Sequence, residues 1–204
     1  MKSKVILSVF LIAAFLAVLN SCSLILIGDI RGNGSIESQE RSVSNFHSVV
    51  LDGVGDVNIH FAENYRVVVT TDSNIQDIVV VRANGNDLHI ETRQHTIFNT
   101  SKLVIDVYLP ELRSIKLRGV GSITMYGGAA SDLEMVLSGV GNIKAQNYNV
   151  ENVNVTLSGV GDIKTWATKT LSGKISGVGD VYYRGTPAIS VHTNITGSVK
   201  SMSN

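Results

Sequence analysis

The chain has 204 residues, a formal net charge of +0 at pH 7, 44% hydrophobic residues, 2 prolines and 1 cysteine. That length suits one domain, the balanced charge offers no electrostatic footprint for nucleic acid, and a lone cysteine excludes an internal disulfide. Beyond Cys22 helix signals are weak, and Val, Ile, Thr, Asn, Ser and Gly predominate, a composition that predicts an all-β protein.

The chain opens with Met1-Lys-Ser-Lys4 and an uncharged apolar run from Val5 to Leu19. This reads as a secretory signal over residues 1–21, short for a spanning helix of roughly 20 residues. An uncleaved anchor is the alternative, given Leu24-Ile-Leu-Ile27 beyond. Leu19-Asn-Ser-Cys22 resembles a bacterial lipobox, with Asn20 bulkier and more polar than the usual occupant. Cys22 is therefore the expected lipidation site, with a soluble secreted protein as the other reading. Residues 22–29 then serve as anchor or linker, and acyl chains on Cys22 make the membrane a partner. Ser23 in place of an acidic residue resembles outer-membrane retention, with the membrane face left open. Removing Lys2 and Lys4 leaves 15 basic against 17 acidic side chains.

Residues 30–204 read as one β-solenoid domain. Its signature is Leu51-Asp-Gly-Val-Gly-Asp-Val57, which returns at Leu117, Leu137, Leu157 and Ile175, the last four at nearly constant spacing. A period of about 20 residues marks stacked coils, none able to bury its apolar face alone. Before and after each Gly-Val-Gly the residues alternate apolar and polar, as Leu133, Met135, Leu137 and then Ile143, Ala145 do. Each coil is thus strand, corner, strand. The corner glycines are Gly53, Gly55, Gly119, Gly121, Gly139, Gly141, Gly159, Gly161, Gly177 and Gly179. A tight bend uses a positive φ, the Asp, Asn or Ser that follows can bond a nearby backbone group, and the central Val is expected to fill the inside of the corner. Fainter echoes at Ile30–Ile36 and Ile195–Val199 bring the expected count to seven coils, degenerate at both ends.

A long gap separates Gly53 from Gly119. It holds four strand-like runs and a turn at Asn84-Gly-Asn-Asp87. Over 30–111 the sequence predicts longer, irregular coils, with a small antiparallel unit as the alternative; 112–204 is the regular part. The expected fold is an all-β, right-handed parallel β-solenoid, or β-helix.

The ordered set of motifs resembles the auto-transporter adhesin family with the head GIN domain, common in Bacteroidota envelopes. The lipoprotein signal is followed by a strand and Gly-x-Gly-Asp-Val corner at Val49–Ile59 and a Gly-Asn-Asp-Leu-x-Ile hairpin at Gly85–Ile90. A Val-x-Val-x-Leu-Pro-x-Leu strand at Ile105–Leu112 then leads into Ser-Gly-x-Gly-Asx coils. The resemblance implies a β-solenoid in the cell envelope with an adhesive role, and it brings no catalytic residues or cofactor.

If the residues just after each corner alternate in and out, one outward face gathers Tyr126, Lys144, Gln146, Lys164, Trp166, Tyr182 and Arg184. Aromatics beside hydrogen-bonding groups suit sugar rings, so a glycan or another envelope or host-surface molecule is the candidate ligand. The plainer reading is an ordinary solenoid exterior with Trp166 as a cover. Asp162 and Asp180 are expected in a turn-capping ladder rather than a Ca²⁺ site. A polysaccharide-active enzyme would need clustered acids, and Asp162, Asp180 and Arg184 are the only such set. His47, His60, His89, His95 and His192 lack metal-site spacing, so no metal or cofactor is expected. The sequence therefore reads as a non-catalytic outer-membrane lipoprotein, an adhesin or binding module. A structural envelope protein and an enzyme are the alternatives, and open sheet ends make self-association a further expectation.

Overall fold

A computed structural model describes residues 29–93, 97–194 and 196–202. The signal, Cys22 and the linker through residue 28 lie outside the described residues. The chain is all-β, with no α-helix among the described residues. Its strands are β1 (Asp29–Arg31), β2 (Ile36–Arg41), β3 (Ser48–Leu51), β4 (Asp56–Phe61), β5 (Arg66–Asp72), β6 (Val79–Asn84), β7 (Asp87–Thr92), β8 (Ile97–Asn99) and β9 (Leu103–Leu109). They continue with β10 (Ser114–Leu117), β11 (Val120–Tyr126), β12 (Ala129–Leu137), β13 (Val140–Leu157), β14 (Ile163–Ile175), β15 (Val181–Arg184), β16 (Ala188–Thr193) and β17 (Val199–Ser201).

Most of these strands form two parallel ladders. Before the corners, β7, β3, β10, β12, the second half of β13, the second half of β14 and β16 pair in that order. After the corners, β9, β4, β11, the first half of β13, the first half of β14, β15 and β17 do the same. One strand from each ladder makes a rung, and the described residues supply seven. Apolar side chains stack between rungs as columns, Ile90, Leu51, Leu117, Leu137, Leu157, Ile175 in one ladder and Ile105, Val57, Ile123, Ile143, Ile163, Val181 in the other. All of them are buried, and each contributes about 1.5–3 kcal/mol by leaving water.

The rungs do not follow chain order. The rung of β3 and β4 lies between that of β7 and β9 and that of β10 and β11. Gly53 and Gly119 are therefore neighbours, with the Val120 N–H donating to the Gly53 carbonyl at 2.9 Å. The chain between those glycines leaves the stack and returns to it. Longer coils were expected over 30–111, and only residues 87–109 supply one. The rest is antiparallel: β5 pairs β9, β2 pairs β5, and β6 pairs β7, which cap one end of both ladders. For β6 hairpin chemistry decides this, because Gly85 and Asn86 turn it back against β7 with a positive φ at Gly85 of +59°. Gln76, buried beside the cap, donates to the Glu37 and Val69 carbonyls at 2.8 and 3.1 Å.

The echo at Ile30–Ile36 is not a coil. Its first strand, β1, pairs β8 in a separate two-stranded sheet, and Ile36 opens antiparallel β2. Its glycines wrap a carboxylate instead: the Gly34 N–H donates to Asp72 at 2.6 Å and the Thr100 hydroxyl to Asp72 at 2.5 Å. Those bonds, the Thr100 contact foremost, hold the buried Asp72 carboxyl below its usual range against the opposing effect of burial. The C-terminal echo does stack, with Val181 beside Val199.

Candidate functional site

The corner glycines are set by contact between rungs. A Cβ on Gly119, Gly139, Gly159 or Gly177 would meet the carbonyl oxygen of the first glycine in the rung before, and one on Gly121, Gly141, Gly161 or Gly179 that of the second. The second glycines also hold φ between +135° and +145°, a region open mainly to glycine. The central valines were expected inside the corner and are found outside. Val54, Val120, Val140, Val160 and Val178 are 45–55% exposed and pair from rung to rung along the corner. The glycines on either side, close-packed on their neighbours, leave no interior space for a side chain between them.

Asp56, Ser122, Asn142, Asp162, Asp180 and Ser198 follow the corners as a ladder. Asn142 accepts the Asp162 N–H at 3.0 Å, Asp162 accepts the Asp180 N–H at 2.9 Å, and Asp180 accepts the Ser198 N–H at 3.0 Å. Asp56 accepts the Ser122 N–H at 2.9 Å. Asp180 also takes the Ser198 hydroxyl at 2.6 Å and the Lys200 ammonium at 2.6 Å. The Lys200 bond first, then Ser198, lowers its carboxyl to about 2. Carboxylates engaged in this way tie rung to rung and are poorly placed for acid–base chemistry.

Two columns further along each strand point outward. The first contains Asp106, Asn58, Thr124, Lys144, Lys164, Tyr182 and Lys200 in register. In the second, Tyr108, His60 and Tyr126 stack with ring centroids 4.8 and 5.0 Å apart, and Arg66 covers the far face of Tyr108 at 5.7 Å. Asp106 braces this stack, 3.3 Å from His60 Nε2 and 3.0 Å from Asn58 Nδ2.

The row from Tyr126 through Gln146 to Trp166 is broken. Residues 146–148 bulge from β13, so Trp166 lies opposite Asn149 instead of Gln146. The cause is Tyr148, whose buried ring stacks on Phe61 at 4.6 Å and draws the chain inward. Burial, foremost, pushes its phenol up to about 12. The predicted face thus divides in two. Tyr126, half exposed, joins the His60 stack, whereas Lys164, Trp166, Tyr182 and Arg184 form a cationic cluster with Lys144 at its border. There the Arg184 guanidinium lies 5.0 Å over the half-buried Trp166 ring, and Lys164 and Lys200 each stand 5.7 Å from Tyr182. A surface hollow beside Trp166 and Arg184 continues to Gly185, Thr186, Ser201 and Met202.

Sequence reasoning missed Lys200, Tyr108 and Arg66. Lys200 was reachable by carrying the repeat rows into the last echo. Tyr108 was not, because its rung has no Gly-x-Gly corner, and Arg66 belongs to an antiparallel strand. Among the described residues one group of metal-type donors converges, Asp52, His89 and Glu91. His89 Nδ1 lies 3.1 Å from Asp52, and arginines already meet both acids, Arg118 at 3.7 Å from Asp52 and Arg82 at 2.7 Å from Glu91.

The fold is shared with a solved structure. A "putative adhesin" from Bacteroides fragilis superposes with a TM-score of 0.60 at 21% identity, covering 85% of this chain and 100% of that one. A "putative cell adhesion protein" from Clostridium sporogenes matches at 0.47 and 16% identity, over 82% of this chain and 99% of that one. A "putative lipid binding protein" from Parabacteroides distasonis matches at 0.45 and 17% identity, over 86% of this chain and 100% of that one. No functionally curated protein matches the chain. The family described as "Putative auto-transporter adhesin, head GIN domain" matches residues 45–127 and again 118–187. The overlapping matches run from the first Gly-x-Gly corner through the last regular one, and the chain belongs to that family.

Proposed function

We propose that the protein is a non-catalytic binding module of the cell envelope, held to the outer membrane by a lipid on Cys22, whose ligand is a glycan. In this reading the rungs wind as a right-handed parallel β-solenoid, and the face after the corners meets the ligand. Membership of an adhesin family supports a surface role. The observation that carries the ligand reading is the cluster of Lys164, Trp166, Tyr182 and Arg184 on one outward face, where cation and ring alternate. Tyr126 extends it across the bulge, exposed at 50% with only one ring face covered by His60. Rings and donors together suit a sugar's apolar face and its hydroxyls.

An enzyme is disfavoured by the use of Asp162 and Asp180 in the rung ladder. The structural reading, a protein with no ligand, draws on the half-buried state of Trp166. A glycan panel separates them. The wild-type full-length protein is expected to bind at least one glycan, and Trp166→Ala, folded to the same melting point, to bind it at least tenfold more weakly. Equal binding by the variant removes this face as the site, and no binding to any glycan leaves the structural reading.

A further inference from the structure

The pairing of β13 with β14 sets Lys144 directly beside Lys164. Neighbouring strands are about 4.8 Å apart, and like charges directly opposite one another destabilise a sheet. Two other lysines are matched: Lys200 meets Asp180 at 2.6 Å and Lys169 meets Glu151 at 2.7 Å. Lys144, Lys164 and Arg184 have no carboxylate within ion-pair distance among the described residues. The acids nearest in the register, Asp162 and Asp180, already accept backbone N–H groups of the next rung. The chain as a whole has a net charge of +0, so the cationic excess is local.

The rings of this cluster are covered. Arg184 occupies one face of Trp166, and Lys164 and Lys200 both stand over Tyr182. The half-exposed Tyr126 ring is left to stack a sugar, because a ring face holding a cation is not free to do so. The covered face does fix the cation, which lowers the entropy lost on binding, and it leaves the planar fork of Arg184 able to take a carboxylate through two parallel bonds. The cations also recur along the stack, rung after rung, which fits an extended chain carrying charge at intervals.

We propose that this face binds an acidic polysaccharide of the uronate type, lying along the rungs with its carboxylates on Lys144, Lys164 and Arg184. The proposal rests on the glycan-binding reading above and gives it a ligand class. The test is calorimetry of the full-length protein with oligogalacturonate, with its fully methyl-esterified counterpart, and with phosphatidylglycerol vesicles. The ester has the same rings without the charge, and the vesicles have charge without the rings. We expect binding to the acid form alone, weakened about tenfold between about 0.05 and 0.5 M salt. It should weaken again by about tenfold in Lys144→Gln/Lys164→Gln, with an unchanged or higher melting point, since a like-charge pair is removed. Lys116→Gln, on the other ladder, should bind as wild type does. Equal binding of the ester keeps the glycan reading and overturns the charge inference. Binding to vesicles alone, or to none of the three, overturns the inference, and the panel above then decides whether any glycan reading survives.

Discussion

The stack from Ser114 to Ser201 and the antiparallel cap, where β5 and β6 bury Val67, Val69 and Val79, both pack valines inward, yet their glycines answer to different constraints. In the stack a corner glycine lies against the backbone of the rung before it, and the repeat is the imprint of that contact. In the cap, Gly85 turns a hairpin at φ +59° with open space around it. The repeated glycines therefore mark where backbone meets backbone, whereas Gly85 marks only a turn. The stack also carries the candidate site, because in-register pairing aligns like residues into columns. In the antiparallel cap β2 sets Glu37, Gln39 and Arg41 against Thr71, Val69 and Val67.

The largest expected effect tests that difference. Gly141→Ala places a methyl against the Gly121 carbonyl at a φ of +139° and should cost more than about 3 kcal/mol. Gly85→Ala, in the left-handed region without a clash, should cost about 1 kcal/mol. Urea unfolding measures both, and equal small losses would erase the distinction. Next comes Ile163→Ala, which empties a fully buried column position and should cost about 3 kcal/mol. Nearby at the corner, Val160→Ser should stay within about 0.5 kcal/mol, because Val160 is 51% exposed; a core-sized loss there would place the valine inside the corner after all.

The pH dependence sharpens the comparison at each end of the scale. The Tyr148 phenol is raised to about 12, above its value in an unfolded chain near 10. The unfolded state then loses that proton first, so stability falls as pH climbs from about 10 towards 12. Ultraviolet titration should find one of the 6 tyrosines ionising late, together with the loss of fold. A chain whose tyrosines all titrate together while it stays folded would contradict the packing of the bulge. The smallest effect is expected at Asp180, whose carboxyl is lowered to about 2. Its contribution is present above about pH 4 and is lost as pH falls towards 2. Protection of the Ser198 amide against exchange should fall over that window and that of Val120 should not, since the last rung alone hangs on Asp180.

Much of the stack could be read from the sequence. The alternation around each Gly-Val-Gly placed Ile123, Ile143 and Ile163 inward, and spacing alone placed Val199 beside Val181. The failures share a physical origin, since each concerns contacts that alternation cannot encode. Val160 faces out because the glycines flanking it pack on neighbouring rungs. The rung of Asp87–Thr92 and Leu103–Leu109 was expected as a longer coil, but it has no corner glycine, so the repeat could not fix its place in the stack. The adjacency of Gly53 and Gly119 is invisible across so long a stretch of chain, because parallel pairing requires equal faces rather than nearness in sequence. Of the candidate site, Lys144, Lys164, Tyr182 and Arg184 align as spacing implied, and Gln146 does not, because the inward pull of Tyr148 shifts the register.

Trp166 is the only tryptophan in the chain, so its fluorescence reports on the proposed face without a label. Emission from the full-length protein, titrated with neutral and acidic glycans, should change saturably with an acidic one and stay flat in Lys144→Gln/Lys164→Gln. If calorimetry records tight glycan binding while Trp166 emission does not move and the double variant binds as wild type does, the site lies elsewhere on the molecule and the account of this face is wrong.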